Sequence, residues 1–207
     1  QLLIPPKERL SGGRDEQGFA ASTYPEPVPL ITPDMHLDGI HHISAITDQL
    51  ERAGDFYEAA LGLKLVKKTY NQDDGKTKHY FWADYDGAEV SPHSSLTLFD
   101  WSASTLRERP GVGQTHHIAF RAENAEQQLE WREHILELGV DVSPVMERTY
   151  FKSIYFRSPD GLLLEIATDG PGFAVDEPAA TLGTTLKLPP WLEAEREDIE
   201  KTLTPLP

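Results

Sequence analysis

Short runs of alternating hydrophobic and polar residues, separated by stretches with a helical period, occur twice along this chain in the same order. "GIHHISAI" (39–46) has the two-residue period of a strand. A helix follows, with Asp48 as N-cap, running to Ala60 and stopped by Gly62. "THHIAF" (115–120) repeats the strand; Asn124 and Gln127 then form a capping-box-like start to a helix that reaches Leu138 and ends at Gly139. Strand patterns complete each copy: "LKLVKKTY", "KHYFWADY" and "SSLTLFDW" in the first, "VDVSPVME", "KSIYFRS" and "GLLLEIAT" in the second, with "SPDG" turning between the last two. The double histidines of the copies lie 75 residues apart, which marks an internal duplication. The expected fold is α+β, two βαβββ modules at about 37–101 and 112–170 within one domain of 37–170.

The flanks have a different character. Residues 1–36 carry six prolines and two adjacent glycines without a sustained period and predict an extended arm. Residues 171–207 predict a tail that wraps the surface and ends in a short helix, "WLEAEREDIEKTL".

Composition narrows the partners. With 34 acidic against 19 basic residues, the formal charge of −15 repels nucleic acid and anionic membranes, so neither is expected as a partner. The chain has no cysteine, so a metal would have to be held by His, Asp or Glu. No apolar run approaches the roughly 18–20 residues of a membrane span. The first residues lack a basic segment followed by an apolar one, and cytoplasm is the expected location. Walker-type and dinucleotide glycine loops, G-x-S-x-G and H-E-x-x-H are all missing from the sequence.

One residue does not fit its strand. In "GLLLEIAT", Glu165 shares a face with Leu163 and Ala167, which puts a carboxylate inside an apolar strand. Burying it unpaired would cost several kcal/mol. Alternation places His42 on one face of the first strand with Ile40 and Ser44, and His117 with Thr115 and Ala119 in the second copy. Taken singly, such a His is more often a hydrogen-bonded strand residue than a ligand, and such a Glu more often sits in a salt bridge. If the two copies close about a pseudo-twofold axis, equivalent positions converge, and two His with one carboxylate make the facial triad of non-haem Fe(II) oxygenases.

"GIHHIS", "LGLKLVKKTYNQDD", "THHIAF" and above all "YFKSIYFRSPDGLLLEIATDGPGF" resemble the vicinal oxygen chelate superfamily, and within it most closely the ring-cleaving dioxygenases of hydroquinones. The resemblance covers about residues 37–190. It implies paired βαβββ modules in a cup-like half-open barrel, with His42, His117 and Glu165 holding Fe(II), or alternatively Mn(II), and a small aromatic substrate and dioxygen as reactants. By the same resemblance Tyr155, Arg148 and His116 are expected to act in catalysis, and His41, with Ser44 on the His42 face, to contact substrate. A homodimer is also expected. Regular strands would point His41 and His116 away from their neighbours, so their contact with substrate needs a twist or bulge. Members of the hydroquinone group normally carry four modules, with the ligands drawn from the first and last; this chain has room for two.

Two other readings stay open. A glyoxalase-like lyase or isomerase usually draws a fourth ligand, a Glu, from the last strand of the first copy; there "SSLTLFDW" offers only Asp100. A metal-free ligand-binding module on the same scaffold is the other, and such modules often lack the triad.

Overall fold

The computed structural model of the protein describes residues 36–101 and 111–203. The expected Pro-rich arm lies almost wholly outside them. Eight strands and three helices form in the duplicated order: β1 (His42–Thr47), α1 (Leu50–Leu61), β2 (Lys64–Tyr70), β3 (Lys78–Ala83) and β4 (Ser95–Asp100), then β5 (Ile118–Ala122), α2 (Ala125–Glu137), β6 (Met146–Glu147), β7 (Lys152–Arg157) and β8 (Leu163–Thr168), with α3 (Arg196–Thr202) in the tail. They make two four-stranded sheets of identical topology, β1-β4-β3-β2 and β5-β8-β7-β6, in which the first two strands of each order run parallel and the rest antiparallel. The fold class is therefore α+β, as expected.

The chain divides into two compact units. Residues 36–50 and 63–101 form the first among the described residues, and 51–62 with 111–203 form the second. Helix α1, first-copy by sequence, thus packs with the second unit: Phe56 lies 6.3 Å from Phe156 of β7, and His134 Nε2 of α2 meets the Ala59 carbonyl at 2.7 Å. The sequence period does not reveal this, because a repeat of 3.6 shows which helix face is apolar but not which sheet receives it.

In the second unit α2 lies against β5, β7 and β8. Its N-cap is the expected one, since Asn124 Oδ1 accepts from Gln127 N at 2.9 Å. At the other end Gly139 takes φ 73°, and Gly139 N and Val140 N bond the Leu136 and Ile135 carbonyls, a Schellman closure that needs a residue free to adopt left-handed backbone. Ile154, Phe156, Leu164 and Ile166 are buried on one side of β7 and β8, which turns Ser153, Tyr155 and Glu165 to the other. Gln128 is fully buried and its amide donates to the carbonyls of Lys152 and Ile166, pinning the helix to both central strands.

Some boundaries differ from expectation. Of "VDVSPVME" only Met146–Glu147 pairs as strand. Pro144 has no N–H to give, and Ser143 instead bonds Tyr155 through both its backbone N–H (2.9 Å) and its hydroxyl (3.0 Å). The first strands start late: His42 opens β1, while His117 precedes β5. The tail is held by turns as well as α3; Tyr150 donates from its hydroxyl to Asp176 at 3.1 Å, and its carbonyl accepts from Gly172 N at 2.8 Å.

Candidate functional site

The carboxylate that the strand pattern left unexplained is 2% exposed and carries three partners, all from the second unit. Its Oε2 faces His117 Nε2 at 2.7 Å. Its Oε1 accepts two hydroxyl bonds, one from the buried Ser153 and one from Tyr155 at 3.1 Å. Tyr155 stands directly across from Glu165 in the β7–β8 register, and Ser153 lies two residues back on the same face, so both hydroxyls converge on one oxygen. Hydrogen bonds to a charged acceptor contribute about 1.5–3 kcal/mol each, and together they offset the several kcal/mol that burying this charge would cost.

Tyr155 is itself held. Arg148 Nε donates to its hydroxyl at 3.3 Å, and the guanidinium stands 5.3 Å from its ring centre. Arg148 is aimed by a tight turn in which Thr149 adopts φ 67° and Arg148 N bonds the Phe151 carbonyl at 2.9 Å. The His117 ring meets Tyr155 edge-on at 6.0 Å. Arg148, Tyr155, Glu165 and His117 therefore form one continuous chain of contacts. Sequence reasoning missed Ser153, and the available signal was its place two residues before Tyr155 on the face that carries Glu165.

The double histidines also have a definite geometry. His116 and His117 bring their Nδ1 atoms to 2.8 Å with rings nearly perpendicular, and His41 and His42 do the same at 2.8 Å. Neighbours in a regular strand would point apart, as expected from alternation. The expectation fails because His41, His116 and His117 precede strand pairing. One of each pair of facing nitrogens must carry the proton.

The first unit holds the rest of the expected set. His42 and Ser44 are exposed on β1. Ser44 Oγ accepts from Thr97 Oγ1 at 2.8 Å, and Thr97 Oγ1 in turn meets His79 Nε2 at 2.8 Å. Since the Thr97 proton is committed to Ser44, His79 is the donor in that second bond. Partial burial, and then the neighbouring charge of His42, hold the His79 imidazole below its ordinary pKa. Within each unit taken by itself, no group of three or more His, Asp or Glu side chains gathers for a metal ion among the described residues. His117 and Glu165 are brought together, and His42 stands in the first unit.

The donors of the second unit suit a first-row divalent metal. An imidazole nitrogen and a carboxylate oxygen face one another at 2.7 Å, and each is braced from behind, His117 by His116 and Glu165 by Ser153 and Tyr155. Asp100, the carboxylate required by a four-ligand site, sits one strand face away from Thr97 and pairs with Lys78 at 3.7 Å. Among the described residues no helix is long and apolar enough to cross a membrane.

The sequence is similar to known proteins over the region that carries this site. It is 36% identical to MhqO of Bacillus subtilis (strain 168), named for a proposed ring-cleaving dioxygenase activity, across 84% of this chain and 52% of the relative. It is 29% identical to the chlorohydroquinone/hydroquinone 1,2-dioxygenase of Sphingobium indicum across 91% of this chain and 56% of the relative. The chain thus spans about half the length of these curated relatives. In fold it is similar to a glyoxylase/bleomycin resistance protein/dioxygenase domain from Frankia sp. EAN1pec, with a TM-score of 0.53 at 20% identity over 66% of this chain and 96% of that one. The profile of the Glyoxalase/Bleomycin resistance protein/Dioxygenase superfamily matches residues 39–166, and the chain belongs to that superfamily.

Proposed function

We propose that this chain is a metal-dependent, extradiol-type dioxygenase that opens the ring of a hydroquinone or catechol. The observation that carries the reading is the buried Glu165 with His117 Nε2 at 2.7 Å, braced by Tyr155 and Arg148. The names of two relatives, one a ring-cleaving and one a chlorohydroquinone/hydroquinone dioxygenase, support the same class. His117 and Glu165, with His42 as third ligand, are the residues proposed to hold Fe(II) or Mn(II). That ion would supply the one-electron chemistry through which an aromatic diol and dioxygen combine. In the overall reaction one ring carbon–carbon bond breaks and both oxygen atoms enter the product.

The chain's own groups would do the rest. Arg148 fixes the Tyr155 hydroxyl through Nε and brings its guanidinium charge beside it, which favours an anionic substrate oxygen nearby. His116 fixes the His117 ring through Nδ1, leaving Nε2 for the site. His41 bears the same relation to His42. Ser44 accepts from Thr97 on one lone pair and keeps its proton to donate to a substrate oxygen.

The glyoxalase-like alternative is weakened by register. Thr97, not a carboxylate, occupies the position in β4 that Glu165 occupies in β8. The deciding experiment measures oxygen uptake by anaerobically Fe(II)-loaded protein given methylhydroquinone, chlorohydroquinone or catechol. Uptake matched by a ring-opened product, and lost in Glu165→Ala, is the expected result. No uptake by protein with iron demonstrably bound would overturn the dioxygenase reading.

A further inference from the structure

A carboxylate can meet a cation through one oxygen or two, and the surroundings of Glu165 are not symmetric between its oxygens. Ser153 is 0% exposed, and its single hydroxyl proton goes to Oε1. The Tyr155 hydroxyl goes to the same atom at 3.1 Å. Oε2 has neither, and instead faces His117 Nε2 at 2.7 Å. We propose that Ser153 is a positioning residue for Glu165: with Tyr155 it reserves Oε1, so that Glu165 offers one oxygen, Oε2, to whatever cation His117 binds.

This rests on the reading of His117 and Glu165 as metal ligands and goes beyond it to how the second of them is used. A carboxylate oxygen has two in-plane acceptor directions, and on Oε1 two donors fill them. Chelation through both oxygens would require breaking a buried bond to Ser153, whose hydroxyl would then be left without a partner. Binding through one oxygen leaves one more position at the cation open for other ligands, which a reaction joining two small molecules needs. The first unit repeats the arrangement with other residues. His79 holds in β3 the register that Ser153 holds in β7, and it donates to Thr97, which stands in Glu165's place. In both copies, then, the residue two before the cross-strand partner fixes the side chain at this position.

The test uses the full chain, freed of metal and titrated with Co(II), whose visible absorption band reports the number and geometry of its ligands. Wild-type protein should bind Co(II), and Glu165→Ala should not. Ser153→Ala should bind roughly 10- to 100-fold more weakly, the range typical of groups that support a ligand. Its band should also change in position or intensity as the released Oε1 joins the coordination. Ser153→Thr, which keeps the hydroxyl, should restore the wild-type band. Tyr155→Phe, which removes the other donor to Oε1, should shift the band in the same direction and keeps the question answerable if Ser153→Ala folds poorly. Unchanged affinity and an unchanged band in both Ser153→Ala and Tyr155→Phe would overturn the role of Ser153 while leaving the metal site standing. Failure of the wild type to bind Co(II) would overturn the metal reading itself, and the inference with it.

Discussion

Laid strand on strand, the two units have the same scaffold and opposite chemistry. Ile43 pairs with Leu96 as Ile118 pairs with Leu164, so Thr97 stands where the other unit has Glu165. Continuing across each sheet, Phe81 takes the place of Tyr155 and His79 that of Ser153. The second unit builds a buried charge with hydroxyls, an imidazole and an arginine around it. The first builds a neutral line, His79 to Thr97 to Ser44, roofed by aromatic rings: His79 stacks on Phe99 at 3.8 Å and leans on Phe81 at 4.2 Å. Duplication preserved the hydrogen-bond geometry at this register, and substitution decided which copy carries the acid. In the proposed function the second unit supplies the carboxylate and a brace of donors, and the first supplies His42 as the third ligand.

The largest effect should come from breaking that asymmetry at its centre. His42→Ala, His117→Ala and Glu165→Ala should each abolish stable metal binding, measured by metal content after gel filtration, a greater loss than the roughly 10- to 100-fold expected of a supporting group. Thr97→Val, the same register in the other unit, should leave metal content intact, and so should Asp100→Ala. Metal loss in Asp100→Ala as severe as in the triad variants would instead restore the four-ligand lyase reading. Tyr155→Phe should retain metal at higher concentration yet slow turnover, whereas Phe81→Tyr should change neither.

Much of this contrast was legible in the sequence. Spacing alone gave the two copies, the α+β class, the Asn124 cap and the glycine stops, because these depend on local period and backbone conformation. Glu165 announced itself as a charge in an apolar strand. What the sequence could not give were the features that depend on tertiary placement. The packing of α1 with the second unit is one, and the meeting of paired histidine rings where the first strand of each copy begins is another. Ser153 stayed hidden because a serine in a strand looks the same whether it faces solvent or a carboxylate.

A second-rank effect concerns the helix that braces the charged unit. Gln128→Leu keeps the volume but removes both hydrogen bonds to the Lys152 and Ile166 carbonyls, one of them buried, and should lower stability by roughly 1–3 kcal/mol in a denaturant titration. Because β7 and β8 carry Ser153, Tyr155 and Glu165, weaker metal binding should accompany it. A variant of unchanged stability would mean that apolar packing alone holds α2 to the sheet.

The pH extremes should separate the units, with smaller effects. In the second, burial first of all, and then the charge of Asp160, outweigh a Ser158 hydrogen bond and push the Tyr57 phenol from 10.0 up to about 12. Below pH 10 the phenol is protonated whether the chain is folded or not, so nothing is lost; between pH 10 and 12 the unfolded chain ionises first, and stability falls as pH rises, by about 2–3 kcal/mol over the window. Tyr57→Phe should flatten that loss in thermal melts. In the first unit, hydrogen bonds from the Thr77 hydroxyl and then from the Lys76 and Thr77 amides hold Asp74 down at about 2, in the exposed turn that joins β2 to β3. Here the sign reverses. The turn is held fully above the ordinary 3.8 and loosens as pH falls through about 2. Amide resonances of Lys76 and Thr77 should move together with a midpoint near 2, while those of the second unit's α1 stay still; movement of both sets together would show that the units respond to acid as one.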